Sequence, residues 1–488
     1  MRPASPSRRR FLRSSLRAGA ALSASRLLGP AAAWAAPTPR GLRPLFPRPA
    51  LHRRGASALE AALHAAGGGG ITPLPLPAPE PHPRPEVPGG ALAERFPDLR
   101  RHFVFEYYPW YGGPPHFIHW DQWERVPPLD LASNYVPHLG AYDSHSRAVV
   151  EQHARWMAES HVGAISLSWW GPGSYEDRAV PLVMDVMKAH DIKVTFHMEP
   201  YRDDRAHVYA ADALHVLREY GDRRGWDAFL LLRDADGREG PVLKGFAMLL
   251  PERVRDCRGV ERPVDLFAPD GVWRRQTDTI RNELRREFPK VTLLTDTTDA
   301  NRARATGFDG IAIYDNFVGP ELYDPLARRA TQAQVVYSFN VNPGYDTIEP
   351  RTIEPDSCYS PLPFAPASDT FDWNRSDERE RAAGRSVDRI RESFAATVAV
   401  QTNRAYLNYR RGFFLAYVNS FNEWHEGHSF EPMRDAAALG AVEASFGYHN
   451  PVRGAYRLEA VRDLIRPLLA QTTPRPQTLP LNGFPATA

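Results

Sequence analysis

Phe413-Phe414-Leu415-Ala416-Tyr417-Val418-Asn419 runs directly into Ser420-Phe421-Asn422-Glu423-Trp424-His425-Glu426-Gly427. The first part is apolar and β-forming. The second mixes aromatic rings with carboxylates, amides and imidazole. The same switch recurs upstream. Phe103–Tyr107 leads into Tyr108-Pro109-Trp110-Tyr111-Gly112, and Ala164–Ser168 into Trp169-Trp170-Gly171-Pro172-Gly173. Lys193–His197 leads into Met198-Glu199-Pro200-Tyr201, and Gly310–Tyr314 into Asp315-Asn316-Phe317. Val335–Phe339 is followed by Asn340-Val341-Asn342-Pro343-Gly344-Tyr345-Asp346. Leu243–Leu249 and Val291–Thr295 are further β-rich runs, with Asp227–Leu232 competing for the fourth place.

Amphipathic helical patterns lie between these runs, at Val149–Ser160, Val180–His190, Arg274–Phe288 and Ser386–Val400. In the first, Val149, Val150, His153, Trp156 and Met157 share one helical face. Eight strands alternating with helices predict parallel pairing and an α/β fold, a single (β/α)8 TIM barrel. Such a barrel builds its site from the loops after the strands, at the C-terminal face. The aromatic and polar residues fall at those places. Any one ring there is more simply explained as core filler. Six strand ends carrying rings beside Glu, His, Asp and Asn suggest a carbohydrate cleft, because rings stack on the C–H faces of sugars while carboxylates and amides bind hydroxyls.

The barrel does not use the whole chain of 488 residues. No acid precedes Glu60, while Arg2, Arg8, Arg9, Arg10, Arg13, Arg17 and Arg26 crowd the start. Ser7-Arg8-Arg9-Arg10-Phe11-Leu12-Arg13, the Ala-rich stretch to Trp34 and the Ala33-Trp34-Ala35 exit read as a twin-arginine export signal over residues 1–35. The expected location is periplasmic or extracellular. Residues 36–98 carry alternate prolines and the Gly67–Gly70 run, the composition of a disordered spacer. The catalytic domain is expected over 99–472, and a loose tail over 473–488. Losing the signal removes seven arginines and no acid, taking the net charge from +2 to −5. Neither value argues for nucleic acid as a partner. No apolar run is long enough to span a membrane. Cys257 and Cys358 permit one bridge and leave its formation open.

Glu423 and Glu426 are the candidate catalytic residues. Glycoside hydrolysis ordinarily uses two carboxyl groups, one of them protonated near neutral pH through burial or a like-charged neighbour. A spacing of three puts them on opposite faces of an extended strand. A turn after the strand would bring both to one cleft. A surface Glu-x-x-Glu is the commoner fate of such a pair, but Asn-Glu-Trp at a barrel strand end favours function.

Phe421–Gly427 resembles the signature of glycoside hydrolase family 99, the endo-α-1,2-mannosidases and endo-α-1,2-mannanases. Other segments resemble that family in the same order: Tyr107–Gly112 with Ile118-His119-Trp120, Leu139–Tyr142, Leu167–Gly173, Phe196–Tyr201, Gly307–Gly310 and Pro343–Thr347. The resemblance spans about residues 103 to 465. It implies a retaining, metal-free barrel hydrolase that cleaves inside a chain. In the implied mechanism Glu423 is the base toward the substrate's own 2-hydroxyl, which attacks C1 to give a 1,2-anhydro sugar. Glu426 is the acid, then the base that activates water. Trp170 stands where bacterial mannan-acting members carry Trp and animal members Tyr, which implies mannose at the minus-two subsite. Tyr108, Tyr111, His197, Glu199, Tyr201, Tyr345, Trp424 and His425 are the further candidate sugar contacts. Two features depart from the family pattern. His428 stands where Thr is usual, and 348–385 is longer than expected.

The expected partner is therefore a mannose-containing oligosaccharide or polysaccharide, with a monomeric enzyme and no cofactor. Two alternatives stay open: a related barrel endo-α-glucanase, and a glycan-binding barrel without turnover. Nucleotide fingerprints GxGxxG and GxxxxGK[ST] and the serine-hydrolase GxSxG are absent from the sequence. His425 and His428 beside Glu426 hint at a metal, but good ligands are too few for the expected reading to be other than none.

Overall fold

The computed structural model describes residues 98–122, 125–255, 260–316, 318–346 and 371–469, with Leu92, Arg95 and Phe96 before them. The export signal, almost all of the spacer, the tail, Phe317, Cys257 and Cys358 lie outside the described residues.

Twelve strands occur among the described residues: β1 Phe103–Tyr107, β2 Ala164–Trp169, β3 Lys193–Met198, β4 Leu231–Arg233, β5 Glu239–Gly245, β6 Arg253–Arg255, β7 Glu261–Pro263, β8 Thr292–Thr295, β9 Gly310–Ala312, β10 Val336–Ser338, β11 Asn340–Val341 and β12 Ala416–Val418. The main sheet runs β10-β9-β8-β5-β3-β2-β1-β12-β11. Every pairing along that path is parallel. β10 and β11 are two halves of one strand interrupted at Phe339. The first half pairs with β9 and the second with β12, so the seventh barrel strand closes the ring by changing neighbour along its length. The stagger of a closed barrel demands such an offset. The fold is the (β/α)8 barrel.

The contested fourth strand resolves differently from the expectation of Leu243–Leu249. The barrel strand is β5, ending at Gly245, and β4, overlapping the end of the rival segment, folds back on it as an antiparallel hairpin. The same rival segment also touches the barrel: Phe229 bridges Val194 of β3 in parallel, below the pairing of Phe196–Met198 with Leu243–Gly245. The other expected strands are present, several of them shortened.

The period-two alternation of strands sorts side chains into two cores. Phe103, Phe105, Ile165, Leu167, Val194, Phe196, Leu243, Leu293, Ile311 and Tyr337 pack against the surrounding helices. Val104, Ala164, Val242, Leu294, Ala312, Val336, Leu415 and Tyr417 form a smaller cluster within the barrel. Helix Arg147–Glu159 buries Val150, His153, Ala154 and Met157, the i, i+3, i+4, i+7 face that its sequence pattern predicts, with Val149 and Trp156 at its margin. Helix Tyr175–Ala189 starts where the Ser174 side chain accepts a hydrogen bond from the Asp177 amide, with Glu176 and Asp177 in its first turn. Helix Ser376–Thr402 begins well before the expected Ser386, so part of the 348–385 insertion is regular helix.

Candidate active site

Following the inward parity up each strand turns apolar residues into polar ones. Val104 is succeeded by Glu106 and then Tyr108, Val242 by Lys244, and Thr195 by His197 and Glu199. These meet across the barrel. His197 Nδ1 lies 2.8 Å from Glu106 Oε2, and Lys244 Nζ donates to Glu106 Oε1. The three side chains are almost completely buried. Burial alone would push the Glu106 carboxyl up, but the charges of Lys244 and His197 and their hydrogen bonds outweigh it and hold the pKa at about 2. On the other side of His197, Glu199 Oε1 accepts from Ser168 Oγ at 2.8 Å, and Ser168 Oγ accepts from Trp170 Nε1 at 3.0 Å. Burial raises Glu199 to about 7 against the opposing pull of His197 and Ser168. His197 Nε2 lies 3.9 Å from Glu199 Oε1, so the Glu106 cluster approaches, without a hydrogen bond, the set that reaches the half-buried Trp170 ring.

The loop after β12 carries both candidate carboxylates, and its shape follows from local bonds. Ser420 Oγ accepts from the Glu423 amide at 2.8 Å, and Glu423 Oε1 accepts from the His425 amide at 2.9 Å, folding the chain into a turn. Asn422 clamps the turn to the end of β1. Its Oδ1 accepts from the Tyr108 amide at 2.8 Å and its Nδ2 donates to the Tyr108 carbonyl at 2.9 Å. Glu426 is fixed through its backbone, since its carbonyl accepts from the Asp346 amide at 3.0 Å. Gly427 adopts φ +67°, and a Cβ there would come within 2.0 Å of the Asp346 carbonyl oxygen, so only glycine fits.

Glu423 is buried. Burial first, and then the neighbouring Glu426, push its carboxyl well above the usual range, against two backbone amides that favour the ionised form. Such a pair titrates as a unit and holds a proton where two isolated carboxylates would hold none. The Glu426 side chain is 13% exposed. Its Oε2 accepts from Tyr314 OH at 3.3 Å and lies 2.8 Å from His428 Nε2. Tyr314 OH in turn accepts from Tyr108 OH at 3.0 Å.

The other expected contacts divide by their surroundings. Tyr108, Trp170, His197 and Glu199 gather around this centre. Tyr345 joins its rim, edge-on to His428 at 5.4 Å, with its hydroxyl donating to Asp315 Oδ1. His425 stacks on Trp110 at 5.8 Å between ring centroids and lies 3.0 Å from the His119 carbonyl through Nε2. Burial lowers its pKa to about 4, so it is neutral at physiological pH. His425 and His428 therefore attend different partners rather than converging on one point. Tyr111, Tyr201 and Trp424 each also bond within the protein. Tyr111 is buried, stacks on Trp120 at 4.1 Å and accepts from the Trp424 amide at 3.0 Å. Trp424 Nε1 donates to Glu431 Oε2 at 3.1 Å and to Tyr142 OH at 3.2 Å, behind the loop. Tyr201 OH turns to Asp212 Oδ2 at 2.8 Å. Glu106 and Lys244 escape a reading that searches only after the strands, because they lie within them; the alternation Val104-x-Glu106 and Val242-x-Lys244 was the available signal. Among the described residues no cluster of His, Cys, Asp and Glu is built to hold a metal ion.

Comparison with known proteins connects this geometry to named relatives. Glycosyl hydrolase family 99 matches over residues 98–230. The glycoprotein endo-alpha-1,2-mannosidase of Mus musculus is 24% identical over 394 residues, 73% of each chain. The glycoprotein endo-alpha-1,2-mannosidase-like protein of Homo sapiens is 26% identical over 357 residues, 67% of each chain. In fold, the chain is similar to the solved GH99 endo-alpha-mannosidase of Bacteroides thetaiotaomicron, with TM-score 0.52 and 21% identity over 76% of this chain and 99% of that one.

Proposed function

The chain belongs to glycoside hydrolase family 99, and from that premise we propose that it cleaves α-1,2-mannosidic linkages within α-mannan or mannose-rich glycans. The observation that carries the reading is the meeting of Glu423 and Glu426 in one turn after the last barrel strand, close enough for each to act on the other's charge. In the proposed reaction the Glu423 carboxylate takes the proton of the substrate 2-hydroxyl. O2 attacks C1 as the bond from C1 to the leaving oxygen breaks, and Glu426 delivers its proton to that oxygen. Glu426 then removes a proton from water, which attacks C1. The bond between C1 and O2 breaks, and Glu423 returns its proton to O2. Two inversions give net retention. The axial 2-hydroxyl of mannose lies trans to an α-linked leaving group, as the internal displacement requires. No carboxylate approaches C1, so the usual relation between carboxylate separation and stereochemistry does not govern this site.

Trp170 supports mannose rather than glucose at the minus-two subsite, and the hydrogen bond from its Nε1 to Ser168 fixes its ring. Product analysis tests the proposal on α-1,6-mannan with α-1,2 branches, a glucosylated high-mannose glycan and α-1,3-glucan. Release of oligosaccharide from the first is expected; cleavage of the glucan alone would favour the endo-α-glucanase alternative. Glu426→Gln is expected to lower glycan turnover by about 10²-fold or more. Unchanged turnover would remove Glu426 from the acid role, and glycan binding without turnover by the native chain would favour the non-catalytic alternative. Export by the twin-arginine route belongs to the same proposal, supported by Arg8, Arg9 and the apolar stretch that follows.

A further inference from the structure

His428 is fully buried, with Nε2 2.8 Å from Glu426 Oε2 and its ring edge-on to Tyr345 and Tyr314. Its Nδ1 is buried and has no hydrogen-bond partner among the described residues. A buried N–H without an acceptor is costlier than a bare acceptor nitrogen, so the imidazole proton belongs on Nε2, where it points at Glu426. Tyr314 OH donates to the same Glu426 oxygen at 3.3 Å. Oε2 is thus occupied by two donors, and a proton carried by Glu426 must sit on Oε1.

We propose that His428 is a positioning residue for Glu426, holding Oε2 so that Oε1 carries and delivers the catalytic proton, and strengthening Glu426 as an acid by stabilising its ionised form. The proposal rests on the reading of Glu426 as the acid/base. It assigns a role to the residue that directly follows the Phe421–Gly427 stretch, an imidazole backed by two aromatic edges. Other groups also face the pair, and Tyr314 OH lies 3.5 Å from His428 Nε2 as well as bonding Glu426. Glu423 and His425 lie on the same loop, and burial keeps His425 neutral at physiological pH. Tyr314 and Tyr345 come from the segments after β9 and β11. The Asp346 carboxylate is engaged by Asn134 and His449. Arg457 donates to the carbonyls of Gly427 and Ser429.

The test compares His428→Phe, which keeps the bulk and loses the donor, with His428→Gln, which keeps an N–H. Each is assayed on the glycan and on the corresponding α-glycosyl fluoride, whose leaving group needs little proton assistance. His428→Phe is expected to lower glycan kcat by about tenfold and to move the alkaline limb of the kcat/KM profile upward, because the ionised form of Glu426 loses a donor. Fluoride kcat/KM, which reports the steps up to leaving-group departure, should stay within about twofold of native, which also shows that the variant folds. His428→Gln should restore the native limb and most of the glycan turnover. An unmoved limb in His428→Phe, or equal losses on glycan and fluoride, would overturn the proposal. Glu426→Gln run alongside separates the two failures: if it too spares glycan turnover, the acid/base reading falls; if it abolishes turnover while His428→Phe has no effect, only the role of His428 falls.

Discussion

Glu199 shows what burial does to a single side chain. Its carboxyl titrates near 7 because desolvation outweighs the pull of His197 and the Ser168 hydroxyl. A carboxylate makes stronger hydrogen bonds to sugar hydroxyls than a carboxylic acid that must also donate. If Glu199 contacts substrate, affinity for an unreactive oligosaccharide should rise as the pH passes upward through about 7. Glu199→Gln should flatten that dependence and weaken binding at pH 8 by about tenfold, as calorimetric titration would measure. A native profile flat from pH 6 to 8 would place Glu199 outside the binding surface. The sequence marked Glu199, Glu423 and Glu426 as candidates because each follows a β-forming run. It could not give their protonation, which depends first on how deeply the closed barrel buries them.

Strand alternation governs the next scale. Glu106 in β1, His197 in β3 and Lys244 in β5 share the inward parity, so closing the barrel brings them together. Lys244 also lies over the Tyr417 ring of β12 at 4.4 Å from its centroid. A buried charge stripped of its partner is expensive, so Lys244→Met should destabilise the fold by about 3–5 kcal/mol. Lys244→Met with Glu106→Leu should recover much of that loss, which paired urea titrations would reveal. The pH dependence has a definite sign. Glu106 is depressed to about 2 from an ordinary 4.5, so its contribution is complete above the ordinary value and fades as the pH falls toward 2. Native stability should decline over that acid range, and the single variant should lose part of the decline. The fourth strand was the element least legible in sequence. Asp227–Leu232 and the run ending at Gly245 both have β-forming composition, and both do pair: the first bridges β3 and folds back as a hairpin, while the second takes the barrel position. Local propensity cannot rank two segments that the sheet uses together.

For the whole molecule, the uneven charge is the feature on which the proposed export rests. Seven arginines and no acid precede residue 36, so the chain without that segment carries −5 rather than +2. If those arginines form an export signal, Arg8→Lys with Arg9→Lys should leave mannan-cleaving activity in the cytoplasmic fraction while the unaltered chain delivers it outside. Equal distribution of the two would refute the export reading. The strand–helix alternation, the polar turns at strand ends and the Glu-x-x-Glu spacing are local patterns, so the sequence by itself determined the barrel and pointed to the strand ends where the candidate site is proposed. Tertiary structure alone decided which protein groups Trp424, Tyr111 and Tyr201 bond to, that His428 and Tyr314 both approach one oxygen of Glu426, and that Lys244 pairs with Glu106 inside the barrel. The physical reason is closure. A strand's own residues set which side chains face inward, but which of them meet, and how far water is kept from them, is set by the register in which eight separate strands join.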